Sequence, residues 1–151
     1  MKSNARINKE LKDLDEEPIQ GVEITLKVED DLTIWHAIID GPKDSPYEGG
    51  KFTVEVDFTD SYPFKCPKVH FVTSIYHPNI KSDTGEICTA AIEKQWVPTL
   101  NAQFVIESIV NLMAEPRPDD PLEAEIAEQY MNDFDAYVEH AQKHTSENAT
   151  S

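Results

Sequence analysis

Apolar residues recur at Ile7, Leu11 and Leu14, the i, i+4, i+7 spacing of one helical face. The chain is therefore expected to open with a short amphipathic helix, capped by Asn4 and ending before Pro18. The period then changes to two. Val22, Ile24, Leu26 and Val28 alternate with polar residues, Ile34, His36 and Ile38 lie opposite Trp35, Ala37 and Ile39, and Phe52, Val54, Val56 and Phe58 form a third run. Gly41-Pro42 and the stretch from Ser45 to Gly50 separate these runs, which reads as an antiparallel meander. Val69 and Phe71 supply a fourth strand after the turn from Pro63 to Pro67.

Neither period holds from Thr73 to Leu100. An irregular stretch of this length in a compact domain is functional or disordered, and Ile75, Tyr76, Ile80, Ile87, Ile92 and Trp96 give this one its own packing residues, so an ordered functional segment is expected. Helical spacing returns at Phe104, Val105, Ile109, Leu112 and Met113, with Thr99 or Asn101 as cap and Pro116 as stop. Two more helices are expected, near 122–131 with Ile126 and Tyr130 inward, and near 133–144 with Phe134, Tyr137, Val138 and Ala141 inward. Residues 145–151 read as a frayed tail. The whole is an α+β fold in a single domain over residues 1–151: an N-terminal helix, a four-stranded antiparallel meander, a long irregular segment, and C-terminal helices covering one sheet face.

Composition narrows the function. With 39% hydrophobic and 28% charged residues the chain is globular, and no apolar run approaches the ~20 residues needed to span a bilayer. A formal charge of −16 argues against binding nucleic-acid backbones or anionic membranes, since both need clustered Lys and Arg. Basic residues gather early, at Lys2, Arg6, Lys9 and Lys12, and acidic ones late, from Glu123 to Glu139; these are either docking surfaces or solvated helix faces. Two cysteines in unlike contexts make no disulfide framework, and the N-terminus lacks the apolar core of a secretory signal, so a reducing cytosol or nucleus is expected.

The chemistry concentrates in the irregular segment, where His77-Pro78-Asn79 sets an amide in a turn upstream of Cys88. A thiolate is both a strong nucleophile and a good leaving group, which suits a carrier that accepts an acyl group and then surrenders it. A cysteine hydrolase would need a histidine base oriented by Asn or Asp. His36, His70, His77, His140 and His144 are available, but no protease-type motif surrounds either cysteine. His77 is read as a brace of the turn, and Cys66, between Lys65 and Pro67, as structural. The Asn79 amide either donates to the oxyanion formed at an acyl carbonyl, a contact worth roughly 3 kcal/mol where measured for an analogous donor, or braces the loop through backbone groups.

Gly41-Pro42, Pro46-Tyr47, Gly49-Gly50, Tyr62-Pro63-Phe64, Pro67-Lys68, His77-Pro78-Asn79, Cys88, Trp96, Pro98 and Asp119-Asp120-Pro121-Leu122 stand in an order that resembles the ubiquitin-conjugating enzymes, from Ile7 to about His140. The resemblance implies that Cys88 accepts ubiquitin from an activating enzyme as a thioester and transfers it to a substrate lysine or a ligase cysteine. The alternatives are the same chemistry with another modifier, such as SUMO, and a non-catalytic binding module of like fold. It implies a catalytic set of Cys88, Asn79 and Asp120, supported by His77 and Pro78. Phe64 and Pro98 match the loops that dock RING- or HECT-type ligases, and Arg6 and Lys9 would meet acidic groups on the activating enzyme. The implied partners are ubiquitin, the activating enzyme, ligases and substrate proteins. A monomer without metal or organic cofactor is expected, ATP being used by the activating enzyme. One departure stands out: many lysine-directed members read Cys-Leu-Asp where this chain reads Cys88-Thr89-Ala90. A lysine with pKa near ~10.4 must be oriented and partly desolvated before it attacks, and the missing carboxylate leaves Asp120 as the main acidic neighbour.

Overall fold

The structure is a computed structural model and describes residues 4–88 and 92–150. Helix α1 (Asn4–Glu16) leads into strands β1 (Val22–Leu26), β2 (Ile34–Asp40), β3 (Lys51–Asp57) and β4 (Lys68–Phe71), and helices α2 (Ala102–Ala114), α3 (Ala124–Asn132) and α4 (Phe134–Asn148) follow the irregular segment. The sheet is an antiparallel meander in the order β1-β2-β3-β4. Period-two alternation chooses its inner face: Trp35, Ala37 and Ile39 of β2 and Phe52, Val54 and Val56 of β3 are buried, while His36 and Ile38 point the other way.

Two apolar clusters cover that face. One packs Ile7 and Leu14 of α1 against Trp35, Val56, Phe58 and Ile106. The other joins Phe52 and Val54 to Ile109 and Met113 of α2 and Tyr137 of α4, and it also takes in Ile75, Ile80, Ile87 and Ile92 from the irregular segment. Burying a side chain of that size stabilises by about 1.5–3 kcal/mol, so these isoleucines help hold in place a backbone that carries isolated β-bridges rather than a regular strand.

Four expectations change. β1 stops at Leu26, and Val28 is exposed, because the chain turns there: Asp31 N–H donates to Val28 O at 3.0 Å and Asp30 has φ +71°. Helix α3 starts at Ala124 rather than 122, because Glu123 is extended at φ −122° and ψ 92°; its amide and that of Leu122 go to Pro78 O, at 3.0 and 2.9 Å. Phe134 is not inward. It is 52% exposed at the first turn of α4, with its ring edge against Tyr130. Nor do residues 145–148 fray. α4 runs to Asn148 with Thr145 and Ala149 buried, because Lys51 N–H donates to Ala149 O at 2.8 Å and Gly50 leaves the helix room; a Cβ there would lie 2.6 Å from Thr145 Cγ2. The buried members of that last turn are small or polar, so no apolar period marked it.

Candidate active site

The loop that carries the cysteine is folded against the sheet edge by backbone bonds. Phe71 N–H donates to Gly85 O at 2.9 Å, and a Cβ on Gly85 would stand 2.0 Å from Phe71 O, so a side chain is excluded there. Lys81 N–H donates to Glu86 O at 2.9 Å and Cys88 N–H to Asn79 O at 3.0 Å, which brings the cysteine alongside the His77-Pro78-Asn79 turn.

His77 is fully buried and both ring nitrogens are engaged: Nε2–H donates to Leu112 O at 2.7 Å, and Nδ1 accepts from Asn79 N–H at 3.0 Å. Burial holds its pKa down at about 4, partly opposed by the Leu112 carbonyl. It is a neutral brace, with no lone pair free to act as a base. Pro78 contributes its carbonyl, which receives the amides of Leu122 and Glu123 and so seats the start of α3. Asn79 is also fully buried. Its Oδ1 accepts from Arg117 N–H at 2.7 Å, and its Nδ2 donates to Arg117 O at 2.8 Å and to Asp120 O at 3.0 Å. Both amide protons are spent on residues 117–120, leaving none for an oxyanion in this conformation. Of the two roles open to Asn79 in the sequence, the geometry supports the brace.

That brace sets Asp120 beside the cysteine. Cys88, 3% exposed, directs its thiol at Asp120 O (3.7 Å) and Asp120 Oδ2 (3.6 Å). The Asp120 side chain is otherwise open to solvent, so one carboxylate touches both the sulfur and the approach to it. Ala90, where a carboxylate is missing, lies outside the described residues. Cys66 is half-buried, and burial, with Glu93 nearby, pushes its thiol up to about 12, which leaves it without a thiolate at neutral pH.

The expected docking residues separate into two kinds. Phe64 is 78% exposed, Pro98 is exposed, and the two loops are tied together by Trp96 Nε1–H donating to Pro63 O at 2.9 Å. Lys9 is exposed and pairs with Asp13 at 3.2 Å. Arg6 is occupied within the chain: it pairs with Glu10 at 3.0 Å, donates to Leu100 O at 2.6 Å, and lies over the Tyr62 ring. Glu10 was not singled out from the sequence, although its i, i+4 spacing from Arg6 was visible. It accepts from Arg6, from Tyr62 Oη–H and from Ala102 N–H at 2.8 Å, fastening α1 to the Phe64 loop and to the start of α2. Glu123, which the sequence places only among the late acidic residues, receives Ser82 N–H at 2.9 Å and ties the loop before Cys88 to α3; a contact between residues 41 apart leaves no local pattern.

Comparison with known proteins agrees with this geometry. A family model described as ubiquitin-conjugating enzyme matches residues 6–145. A crystal structure provisionally assigned as a ubiquitin conjugating enzyme from Plasmodium yoelii superposes with a TM-score of 0.92 at 38% identity, covering 100% of this chain and 97% of that one. The E2 domain of a Toxoplasma gondii ubiquitin conjugating enzyme gives a TM-score of 0.89 at 37% identity, covering 97% and 99%.

Proposed function

The chain belongs to the ubiquitin-conjugating enzyme family, and on that premise we propose that Cys88 carries ubiquitin as a thioester between an activating enzyme and an acceptor amine or ligase thiol. In loading, Cys88 sulfur attacks the carbonyl of the ubiquitin thioester on the activating enzyme, that enzyme's thiolate leaves, and the Cys88 proton ends on the departing sulfur. In discharge, a neutral lysine amine attacks the new thioester, the C–S bond breaks, an isopeptide bond forms, and the proton the amine loses ends on the departing Cys88 sulfur. The observation that supports this most is the link from Asn79 through the Asp120 carbonyl to a carboxylate 3.6 Å from the sulfur, where an incoming ammonium meets a negative group. A neutral, fully bonded His77 suits a carrier, because a free base there would activate water against the thioester. The cycle needs no metal or organic cofactor on this chain, and a compartment that keeps thiols reduced, the cytosol or nucleus, is where it would run.

The test is incubation with ubiquitin, activating enzyme and ATP, followed by non-reducing electrophoresis. A thiol-sensitive adduct is expected, Cys88→Ser should give one that survives thiol reductant, and Cys88→Ala should give none. Persistence of a thiol-sensitive adduct in the alanine variant would move the nucleophile to Cys66. Parallel reactions with SUMO and its activating enzyme decide the modifier.

Two side chains then divide the later steps. Asp120→Ala is expected to slow discharge to free lysine about tenfold while changing discharge to free cysteine far less, because only the amine arrives as an ammonium that must lose a proton. Single-turnover assays from pre-formed thioester across pH measure this, and equal slowing with both acceptors would remove Asp120 from the amine step. Phe64→Ala should weaken ligase-stimulated discharge but leave basal discharge and Tm nearly unchanged, since so exposed a residue contributes within about 0.5 kcal/mol to stability. A clear drop in Tm would show that Phe64 packs rather than docks.

A further inference from the structure

β1 is an edge strand, with no strand beside its outer side among the described residues. Its register with β2 decides which amides face outward. Asp40 N–H donates to Gly21 O at 2.8 Å and Lys27 N–H to Ile34 O at 3.2 Å, so in this antiparallel pairing the odd-numbered residues of β1, Glu23 and Thr25, exchange bonds with β2. The even-numbered residues Val22, Ile24 and Leu26 therefore turn their N–H and C=O groups to the free edge. Val22 N–H is taken by Ile19 O at 3.0 Å, while Ile24 N–H, Ile24 C=O and Leu26 N–H have no partner among the described residues. The side chains of these same residues line, with Leu11 and Ile19, a groove of about 490 Å³ between α1 and β1, and all five are half-buried. Edge strands that must stay single are blunted by a proline, a bulge or an inward charge, and Val22–Leu26 contains no proline and no inward charge; Glu23 and Thr25 are exposed. Although Lys12 stands on the α1 wall, exposed carboxylates flank the strand in the chain, Asp15, Glu16 and Glu17 before it and Glu29 and Asp30 after it.

We propose that the free edge of β1 and the groove behind it are a strand-addition site for an extended peptide segment with alternate apolar residues and basic ends, pairing antiparallel to β1. In such pairing the residue opposite Ile24 exchanges both backbone bonds with it and points its side chain to the same face, into the groove. Affinity then comes from the backbone, selection from the apolar positions, and orientation from the flanking charge. This site lies on α1 and β1, shares no residue with the Cys88 loop, and stands whether or not Cys88 carries an acyl group.

The probe is a fluorescent heptapeptide, Arg-Val-Thr-Val-Thr-Val-Arg, with blocked ends, titrated into the whole protein at physiological salt and followed by anisotropy and by amide NMR. In the free protein the Ile24 and Leu26 amides should exchange with solvent faster than those of Glu23 and Thr25, and peptide should slow them selectively. N-methylation of the valines, whose N–H groups face β1, should weaken binding about tenfold or more, whereas N-methylation of the threonines should not. Ile24→Pro, which removes an outward amide that the ladder does not use, and Leu11→Glu on the opposite wall should each weaken binding. Equal affinity of the two N-methylated peptides, shifts centred on the acidic helices α3 and α4, or no binding would each overturn the proposal. Protection of the same amides by self-association without peptide would overturn the stated occupant in favour of a second copy of this chain.

Discussion

Asn79→Ala is expected to lose stability and lysine discharge together. The substitution strips three hydrogen bonds from the 117–120 segment: the Arg117 amide loses its acceptor, the Arg117 carbonyl keeps only Asp120 N–H at 3.2 Å, and the Asp120 carbonyl keeps only the Cys88 thiol at 3.7 Å. At roughly 1 kcal/mol each the loss is about 3 kcal/mol, which for a chain of this length lowers Tm by roughly 6–12 °C. The catalytic consequence follows through Asp120, whose carbonyl Asn79 holds and whose carboxylate reaches Cys88. Below the lowered Tm, loading from the activating enzyme should fall less than discharge to lysine. In an Asp120→Ala background, removing Asn79 should cost little further discharge, because the group it positions is already gone. A purely structural residue would lower Tm without that coupling. If Tm is unchanged and discharge is lost additively with Asp120→Ala, the amide acts directly on the oxyanion and the brace is secondary.

A second large effect is expected in acid. His77 titrates at about 4 in the folded protein, against 6.5 for an unperturbed imidazole, because it is buried and neutral. The unfolded chain therefore binds this proton first as pH falls. Its contribution is complete above pH 6.5 and is lost progressively down to about pH 4, by up to about 1.4 kcal/mol per pH unit and about 3 kcal/mol in all. Denaturant unfolding of the native protein and of His77→Gln, measured from pH 7 to pH 4, checks this. The variant starts less stable at pH 7, having lost the acceptor for Asn79 N–H, and the gap between the two should narrow by about 3 kcal/mol at pH 4. Parallel curves would mean that His77 takes up a proton in the folded state without cost, and the brace as drawn would be wrong.

The period-two runs over residues 22–28, 34–39 and 52–58 determined the meander from sequence alone, because side-chain period is a local property; which side of β2 faces inward, with apolar residues on both, was decided only by the structure, which buries Trp35, Ala37 and Ile39. Ile7, Leu11 and Leu14 likewise marked α1 and the ordered motifs around Cys88 marked the family, while the α2 cap stayed open between Thr99 and Asn101 until Asn101 was seen to accept from Phe104 N–H. What each polar side chain does within that frame was not legible. Asn79 reads equally well as oxyanion donor or brace until Arg117 and Asp120, 38 and 41 residues away, are seen to take its amide. Arg6 looks free until Glu10 and the Leu100 carbonyl claim it. Residues 145–148 look frayed until Gly50 and Lys51 meet them from another element. Hydrophobic period depends on neighbours a few residues away, but a hydrogen bond depends on which donor the folded chain brings within 3 Å, often from dozens of residues distant, and only the tertiary structure decides that.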